Sequence, residues 1–272
     1  MNESKIEKHL KKLTVWVAAI CVLILLSGSI LTVSLNHVQQ EGINNRIQNE
    51  VEKYRDDLLQ KIQVDFQTIY TLSAFLEFNG GLDRENFSRG LLESNNHNSF
   101  VRMGYFNCDG TGVRVTSGKD IETDVSIAET GKGIQQIIRK AWEGEEAFSG
   151  VFYDEELKTE VIGYAVPVYR EGQIIGALAA TEEADALKEL LTNDVLFGGN
   201  GFIQLIDSQG NYVLSYEVDN IFSGDYFSRE EKQNLKKILE EGESGFASVR
   251  YDGELYRIFI EPLGIQEWSL WG

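Results

Sequence analysis

Cysteine, proline, histidine and positive charge are all scarce in this 272-residue chain, and each scarcity closes off a class of protein. Of the two cysteines, Cys21 lies inside an apolar run and Cys108 stands alone beyond it, so no disulfide framework can staple the larger part of the chain. The fold must rest on its hydrophobic core. The three histidines, His9, His37 and His97, are too scattered for a multi-histidine metal centre and leave no Ser-His-Asp or Cys-His set. Asn107-Cys108-Asp109-Gly110 lacks the ligand spacing of a calcium loop and reads as a hairpin turn, so neither metal nor cofactor is expected. Lysine and arginine number 25 against 43 aspartates and glutamates, a formal charge of −18. A surface that acidic repels phosphate backbones, which argues against nucleic acid as a partner. The two prolines, Pro167 and Pro262, both lie in the second half, leaving the segment Val38–Phe78 free of helix breakers apart from Gly42.

One feature dominates what is present. Thr14 to Leu35 carries no charge over 22 residues, and at about 1.5 Å per residue it spans roughly 33 Å, enough for the hydrocarbon core of a bilayer. A backbone in lipid must satisfy its own hydrogen bonds, so the run is expected to be helical, with Ser27, Gly28 and Ser29 as a small-residue patch. A cleaved secretory signal would need a shorter core and an A-x-A-like site, and none follows Leu35. Lys5, Lys8, Lys11 and Lys12 precede the run and the next fixed positive charge is Arg46, which places the N-terminus inside and residues 36–272 outside a plasma membrane.

Beyond the run, Ile43, Ile47, Val51, Tyr54, Leu58, Ile62, Phe66, Ile69, Leu72 and Leu76 step by threes and fours, the stripe of one long helix. Its membrane-near part is a candidate homodimer seam and its far part a packing face. Asn79-Gly80-Gly81 is expected to stop it, and Asp83 to cap a short helix over 84–92. Strands follow at 100–106 and 113–117, a helix at 133–143, strands at 148–153, 161–169 and 173–181, and a helix at 184–191. Then the order restarts with strands at 201–206 and 212–216 and a helix at 229–240. Gly110 corresponds to Gly210; Glu143-Gly144-Glu145 recurs as Glu241-Gly242-Glu243 and Phe148 as Phe246. Val151, Tyr153, Asp154, Glu156 and Leu157 recur as Val249, Tyr251, Asp252, Glu254 and Leu255. A period near 100 residues means duplicated domains, since solenoid repeats are shorter.

These residues carry a family resemblance. The stretches Val101-Arg102-Met103-Gly104-Tyr105 with its turn to Gly112, Ala165-Val166-Pro167-Val168 with Gly172-Gln173-Ile174-Ile175-Gly176, and the ending Glu261-Pro262-Leu263 with Glu267-Trp268-Ser269-Leu270 resemble the double Cache sensor region of bacterial receptors. The resemblance implies an α+β fold of two tandem PAS-like units with antiparallel sheets. The expected organisation is a cytoplasmic stub at 1–13, a transmembrane helix at 14–35, a long exported helix at 36–79, a membrane-distal unit at 80–192 and a membrane-proximal unit at 193–272. It implies a small-molecule site in the distal unit and an output domain beyond a second membrane helix, which is expected just past Gly272. That output would be a diguanylate cyclase of the GGDEF type, with histidine kinase and chemoreceptor as alternatives. A tethered exported enzyme or a structural surface protein is the competing class; the enzyme would need a nucleophile with its base, or a metal set, and no such motif is present.

The amino-acid-binding members have an Arg followed by Trp-Tyr, whereas here Ile138-Arg139-Lys140-Ala141-Trp142 has a different spacing and no Tyr. Pocket residues are therefore assigned by position: Arg102 and Tyr105 on the first strand, Arg139 and Trp142 on the helix, and Tyr153, Asp154 and Tyr164 on later strands. Such a set suits a small carboxylate or zwitterion. Tyr153, Trp142 and Tyr164 could equally be core, and the recurrence of Tyr153 and Asp154 favours a structural role. The runs Glu155-Glu156 and Glu182-Glu183 read as solvated faces.

Overall fold

The computed structural model describes residues 3–78, 84–118, 121–191, 201–214, 220–223, 226–251 and 253–272. The expected helix stop at Asn79-Gly80-Gly81, the Asp83 cap, Asp252 and the end of the strand at 212–216 lie outside these residues. The chain divides into two compact units, 1–49 and 50–272.

In the first unit the charge-free run is helical, within the single helix α1 (Glu3–Phe78). Its large apolar side chains from Ile20 to Leu35 are exposed, and it is a candidate membrane span by length and hydropathy. Three of its hydroxyls bond inside the helix, where Ser27 donates to the Ile24 carbonyl, Ser29 to Leu25 and Thr32 to Gly28, each at 2.9 Å. A helix surrounded by hydrocarbon requires this internal pairing.

In the second unit the stripe along α1 is buried: Val51, Leu58 and Ile69 are fully inaccessible, with Tyr54 and Ile62 nearly so. Burying each such side chain is worth about 1.5–3 kcal/mol. A shorter helix, α2 (Arg84–Asn95), leads into a six-stranded antiparallel sheet of β1 (Arg102–Asn107), β2 (Thr111–Thr116), β3 (Glu122–Ser126), β4 (Ala147–Asp154), β5 (Thr159–Arg170) and β6 (Gln173–Glu183), ordered β3-β2-β1-β6-β5-β4. Helix α3 (Lys132–Trp142) lies on one face, its Ile134, Ile137, Ile138 and Ala141 packed with Phe106, Ala165, Ala177 and Ala179. Gly163 admits this close approach, since a Cβ there would come within 2.4 Å of Ile134. The other face meets α1, where Ser73 donates to the Pro167 carbonyl and Phe66 meets Tyr164 edge-on at 5.4 Å. Helix α4 (Asp185–Leu191) closes the sheet.

A four-stranded antiparallel sheet follows, of β7 (Gln204–Ile206), β8 (Gly245–Tyr251), β9 (Glu254–Pro262) and β10 (Ser269–Trp271), ordered β7-β10-β9-β8. Helix α5 (Arg229–Glu241) covers one face through Leu235 and Leu239. This order matches β1-β6-β5-β4, and finer details repeat with it. Gly110 and Gly210 share a left-handed φ; the N–H of each donates three residues back, to Asn107 and Asp207, and their carbonyls accept from Ile127 and Ile221. Left-handed Gly144 and Gly242 follow α3 and α5. Both prolines obey one rule. Pro167 stands two residues past Ala165, the partner of the first β4 residue, and Pro262 two past Ile260, the partner of the first β8 residue. Each thus sits in an internal strand just where its neighbour has ended and no amide hydrogen is required.

The differences from expectation are local. Strand β3 was not anticipated, because Glu122-Thr123-Asp124 is a poor strand former and Asp124 takes a positive φ. The strand expected at 212–216 appears in its described part only as a bridge from Tyr212 to Ile206.

Candidate functional site

Beneath α3 the six-stranded sheet buries a cluster of charge. Arg102 on β1 donates from Nη1 to Asp154 Oδ2 at 2.9 Å and from Nε to Thr116 at 3.3 Å. Its Nη2 lies 3.1 Å from Glu156 Oε2 but without hydrogen-bond alignment, and that buried nitrogen lacks a proper partner. Arg114 on β2 donates to Glu122 at 2.5 Å and sits 3.1 Å from Glu156. Two guanidinium groups therefore face three carboxylates, and Arg102, Arg114 and Asp154 are all buried. A void of about 20 Å³ adjoins them, lined by Arg102, Gly104, Arg114, Thr130, Ile134 and Thr181 among others. That is room for a single water.

On the opposite face, Lys61 of α1 reaches Asp65 at 2.7 Å and Glu182 at 2.6 Å, and the Tyr164 hydroxyl donates to Asp65 at 2.9 Å. Burial pushes the Tyr164 phenol far above its ordinary range, and the Asp65 charge adds to the shift. Burial likewise raises the Glu182 carboxyl, against the opposing pull of Lys61. One strand joins the two clusters: on β6, Thr181 lines the void and the next residue, Glu182, holds α1.

The seven positions chosen from sequence do not converge. Neighbouring side chains on a strand point to opposite faces. Arg102 and Asp154 meet on the α3 side, while Tyr105 and Tyr164 belong to the α1 side, Tyr164 packed against Phe66, Phe100 and Phe148 as fully buried core. Tyr105 instead bonds the Ile175 carbonyl at 3.3 Å. Tyr153 is 54% exposed, and Arg139 is exposed on α3. Trp142 packs on the α3 core and donates to the Phe106 carbonyl at 3.3 Å. Sequence reasoning missed Arg114, Glu122 and Thr181. It also misread Glu182 as solvated, which is buried because the strand carries it beneath α1; Glu156 is exposed as expected, yet lies against both arginines. The i, i+4 pair Lys61–Asp65 on an otherwise apolar stripe was a usable signal that α1 carries a buried charge site.

Contacts also link the sheets. Gln266 donates to the Phe148 carbonyl at 2.6 Å, Trp268 meets the Phe148 ring edge-on at 5.5 Å, and Arg55 of α1 pairs with buried Glu261 of β9. A larger cavity of about 350 Å³ lies in the four-stranded sheet, lined by Trp271, Phe202, Tyr212, Phe227 and others.

Two sheets that share a four-strand order, each with its own helix on one face and α1 on the other, form a tandem α+β module. The chain belongs to the Cache domain family, whose model matches residues 32–272. That family comprises ligand-binding sensor domains of membrane receptors and does no catalysis, so this chain is a sensor and not an enzyme. The sensory domain of the Campylobacter jejuni chemoreceptor Tlp3 (CcmL) has the same fold, with a TM-score of 0.62 at 13% identity over 81% of this chain and 88% of that one. The ligand-binding domain of the Pseudomonas aeruginosa PAO1 amino acid chemoreceptor PctB, solved with L-Arg, gives 0.58 at 16% identity over 81% and 90%. That of PctC from the same organism, solved with GABA, gives 0.60 at 16% identity over 84% and 97%. Among curated proteins none matches the chain.

Proposed function

We propose that residues 36–272 are the extracytoplasmic sensor region of a bacterial membrane receptor, anchored by the helix at 14–35 with its N-terminus inside. In this reading residues 80–192 form the membrane-distal unit and 193–272 the proximal one. The ligand of the distal unit is a small carboxylate or zwitterion that competes with Asp154 and Glu156 for Arg102. Ligands of that chemistry are bound by the related PctB and PctC domains, which supports the class. The observation that carries the proposal is the placement of Thr181 and Glu182 on successive positions of β6, one at the void and the other on Lys61 of α1. Opening the void to admit a ligand shifts β6, and the Lys61–Glu182 pair passes the shift to the helix that continues as the anchor. A coupling of about 1–3 kcal/mol between ligand and helix position suffices. The helix is also the proposed homodimer seam, and it passes the shift to an output domain, a diguanylate cyclase or else a histidine kinase or chemoreceptor signalling domain.

Reporter fusions and a ligand screen test this. An alkaline phosphatase fusion after Gly272 should be active and one before Lys5 inactive; the reverse pattern overturns the orientation. In a thermal-shift screen of amino acids, 4-aminobutyrate and short dicarboxylates, a stabilising compound should lose its effect in Arg102→Lys, which keeps the charge but not the fork geometry. A shift that survives this change removes Arg102 from the site.

A further inference from the structure

The grip of α1 on the six-stranded sheet is a buried cluster whose charges do not balance. Asp65 of α1 and Glu182 of β6 are 3% and 1% exposed, and one base, Lys61, serves both. Its Nζ lies 2.7 Å from Asp65 Oδ2, and 2.6 and 2.7 Å from the two Glu182 oxygens. From β5 the buried Tyr164 hydroxyl donates to Asp65 at 2.9 Å and also acts on Glu182. Ser99, just ahead of β1, adds a hydrogen bond to Glu182. Ile162, the cross-strand partner of Glu182 on β5, is fully buried and apolar. Glu183, next on β6, is exposed and turned to the other face of the sheet. Further along β5, Glu160 lies near Asp185 and Lys188 of α4. Among the described residues, Glu182 thus faces one cation, one further carboxylate and two hydroxyls.

The arithmetic of the cluster has a physical consequence. With both carboxylates ionised it carries one net negative charge beneath the helix; with one proton bound it is neutral. A low-dielectric site solvates an unbalanced charge poorly, so burial favours the neutral state. Burial accordingly raises the Glu182 carboxyl above its ordinary 4.5, and the Asp65 charge adds to this against the pull of Lys61. The Lys61 side chain is partly exposed, which leaves protons a way in from solvent.

We infer that this cluster makes the chain a sensor of external acidity as well as of a small ligand: one proton taken up at Glu182 tightens α1 on β6, and its loss loosens the helix. The inference rests on the proposed role of the Lys61–Glu182 pair in passing shifts to α1, but on neither Arg102 nor any ligand. The sense of the response follows from linkage. The closed arrangement holds the proton more tightly than an opened, solvated one, so α1 is gripped hardest in acid and released as pH climbs through the raised value. The proton and the ligand then act on the same pair, one from within the cluster and the other through β6.

The test uses the full chain in lipid nanodiscs, without ligand, with isotope-labelled glutamate carboxyl carbons. The titration runs from about pH 4 to 8, the span over which a carboxyl of raised pKa loses its proton. NMR, with the Glu182 signal assigned through its backbone amide, should give a midpoint above 4.5. Hydrogen exchange, corrected for its intrinsic pH dependence, should show the α1 amides around Lys61 and Asp65 losing protection over the same range while those of α5 stay level. Each pH unit by which the midpoint exceeds the ordinary value corresponds to about tenfold less protection. Glu182→Gln, which is neutral at every pH, should abolish the α1 response. Asp65→Asn, which leaves one acid for the one base, should lower the Glu182 midpoint, and it carries the test should Glu182→Gln fail to fold. A wild-type midpoint at or below 4.5 overturns the proposal, as does an α1 response that is unchanged in the variants. Failure here leaves the ligand reading standing, because the thermal-shift screen with Arg102→Lys reads a different residue; conversely, the titration should persist in Arg102→Lys whatever that screen finds.

Discussion

In the six-stranded sheet two arginines meet three carboxylates beside space for one water; in the four-stranded sheet lies an aromatic cavity many times larger, whose described lining residues carry no charge. Strand order, turn glycines and proline placement are the same in both. The divergence lies in what fills the space between helix and sheet. In the first sheet β2 and β3 add an edge that supplies Arg114 and Glu122, and a glycine bulge at Gly150 re-aims the end of β4 so that Asp154 faces Arg102. In the second, the described residues of the corresponding edge form only bridges at Asn211 and Tyr212, and Tyr212 packs with Trp271. A duplicated scaffold has thus been given one interior that holds itself shut by ion pairs and another that leaves polar atoms unpaired.

Four measurements would break or sharpen that contrast, taken from the largest expected effect to the smallest. Arg102→Met strands the buried Asp154 and should cost about 3–5 kcal/mol in urea unfolding, the penalty for breaking a buried pair. A cost under about 1 kcal/mol would mean that the cluster is solvated in the native protein. Lys61→Met leaves Asp65 and Glu182 together under α1 without their cation and should cost a further buried pair's worth, about 3 kcal/mol, more at pH 8 than at pH 5.

The third measurement concerns Glu182 alone. Its carboxyl is raised in the folded state by burial, so the folded chain holds that proton more tightly than the unfolded chain does. The stability this contributes is complete below its ordinary value of 4.5 and is lost as pH climbs through the raised folded value. Wild type should therefore lose melting temperature relative to Glu182→Gln as pH rises above 4.5. A constant difference across that window would show that Lys61 cancels the burial completely.

The smallest effect belongs to the aromatic sheet. Trp271→Phe removes an N–H that bonds to nothing, so its cost should be that of the lost ring volume alone, no more than about 2–3 kcal/mol. Ser228→Ala, by contrast, deletes the hydroxyl that accepts from the Glu231 amide in the α5 capping box and should cost about 1 kcal/mol by the same assay. If the tryptophan change exceeds that volume cost, its N–H has a partner and the contrast between the two interiors fails.

Element order was legible because periodicity and turn glycines are local signals. Strands expected at 148–153, 161–169 and 173–181 appear as β4, β5 and β6 with ends moved by two residues at most, and the helices at 133–143 and 229–240 appear within one residue. The site was not legible to the same degree, for two reasons. Arg102 and Tyr105 are three apart on one strand, and Tyr153 and Asp154 are adjacent, so strand alternation alone separates them; that part could have been read. What could not be read is which acids lie against which bases, because Lys61 and Glu182 are 121 positions apart and Arg102 and Asp154 are 52 apart. Their meeting depends on how α1 crosses the sheet and on the Gly150 bulge, neither of which leaves a local pattern.

Arg55 and Lys61, six positions apart on α1, grip different sheets, Arg55 through Glu261 of β9 and Lys61 through Glu182 of β6. At about 100° per residue the two side chains leave the helix axis about 120° apart, so each clamp resists the turning that the other would permit. A helix keyed at two points in this way is locked against spinning about its own axis, and its remaining freedom is to slide lengthwise or to tilt. Under the proposed function, a shift of either sheet would then travel along the helix as a piston stroke.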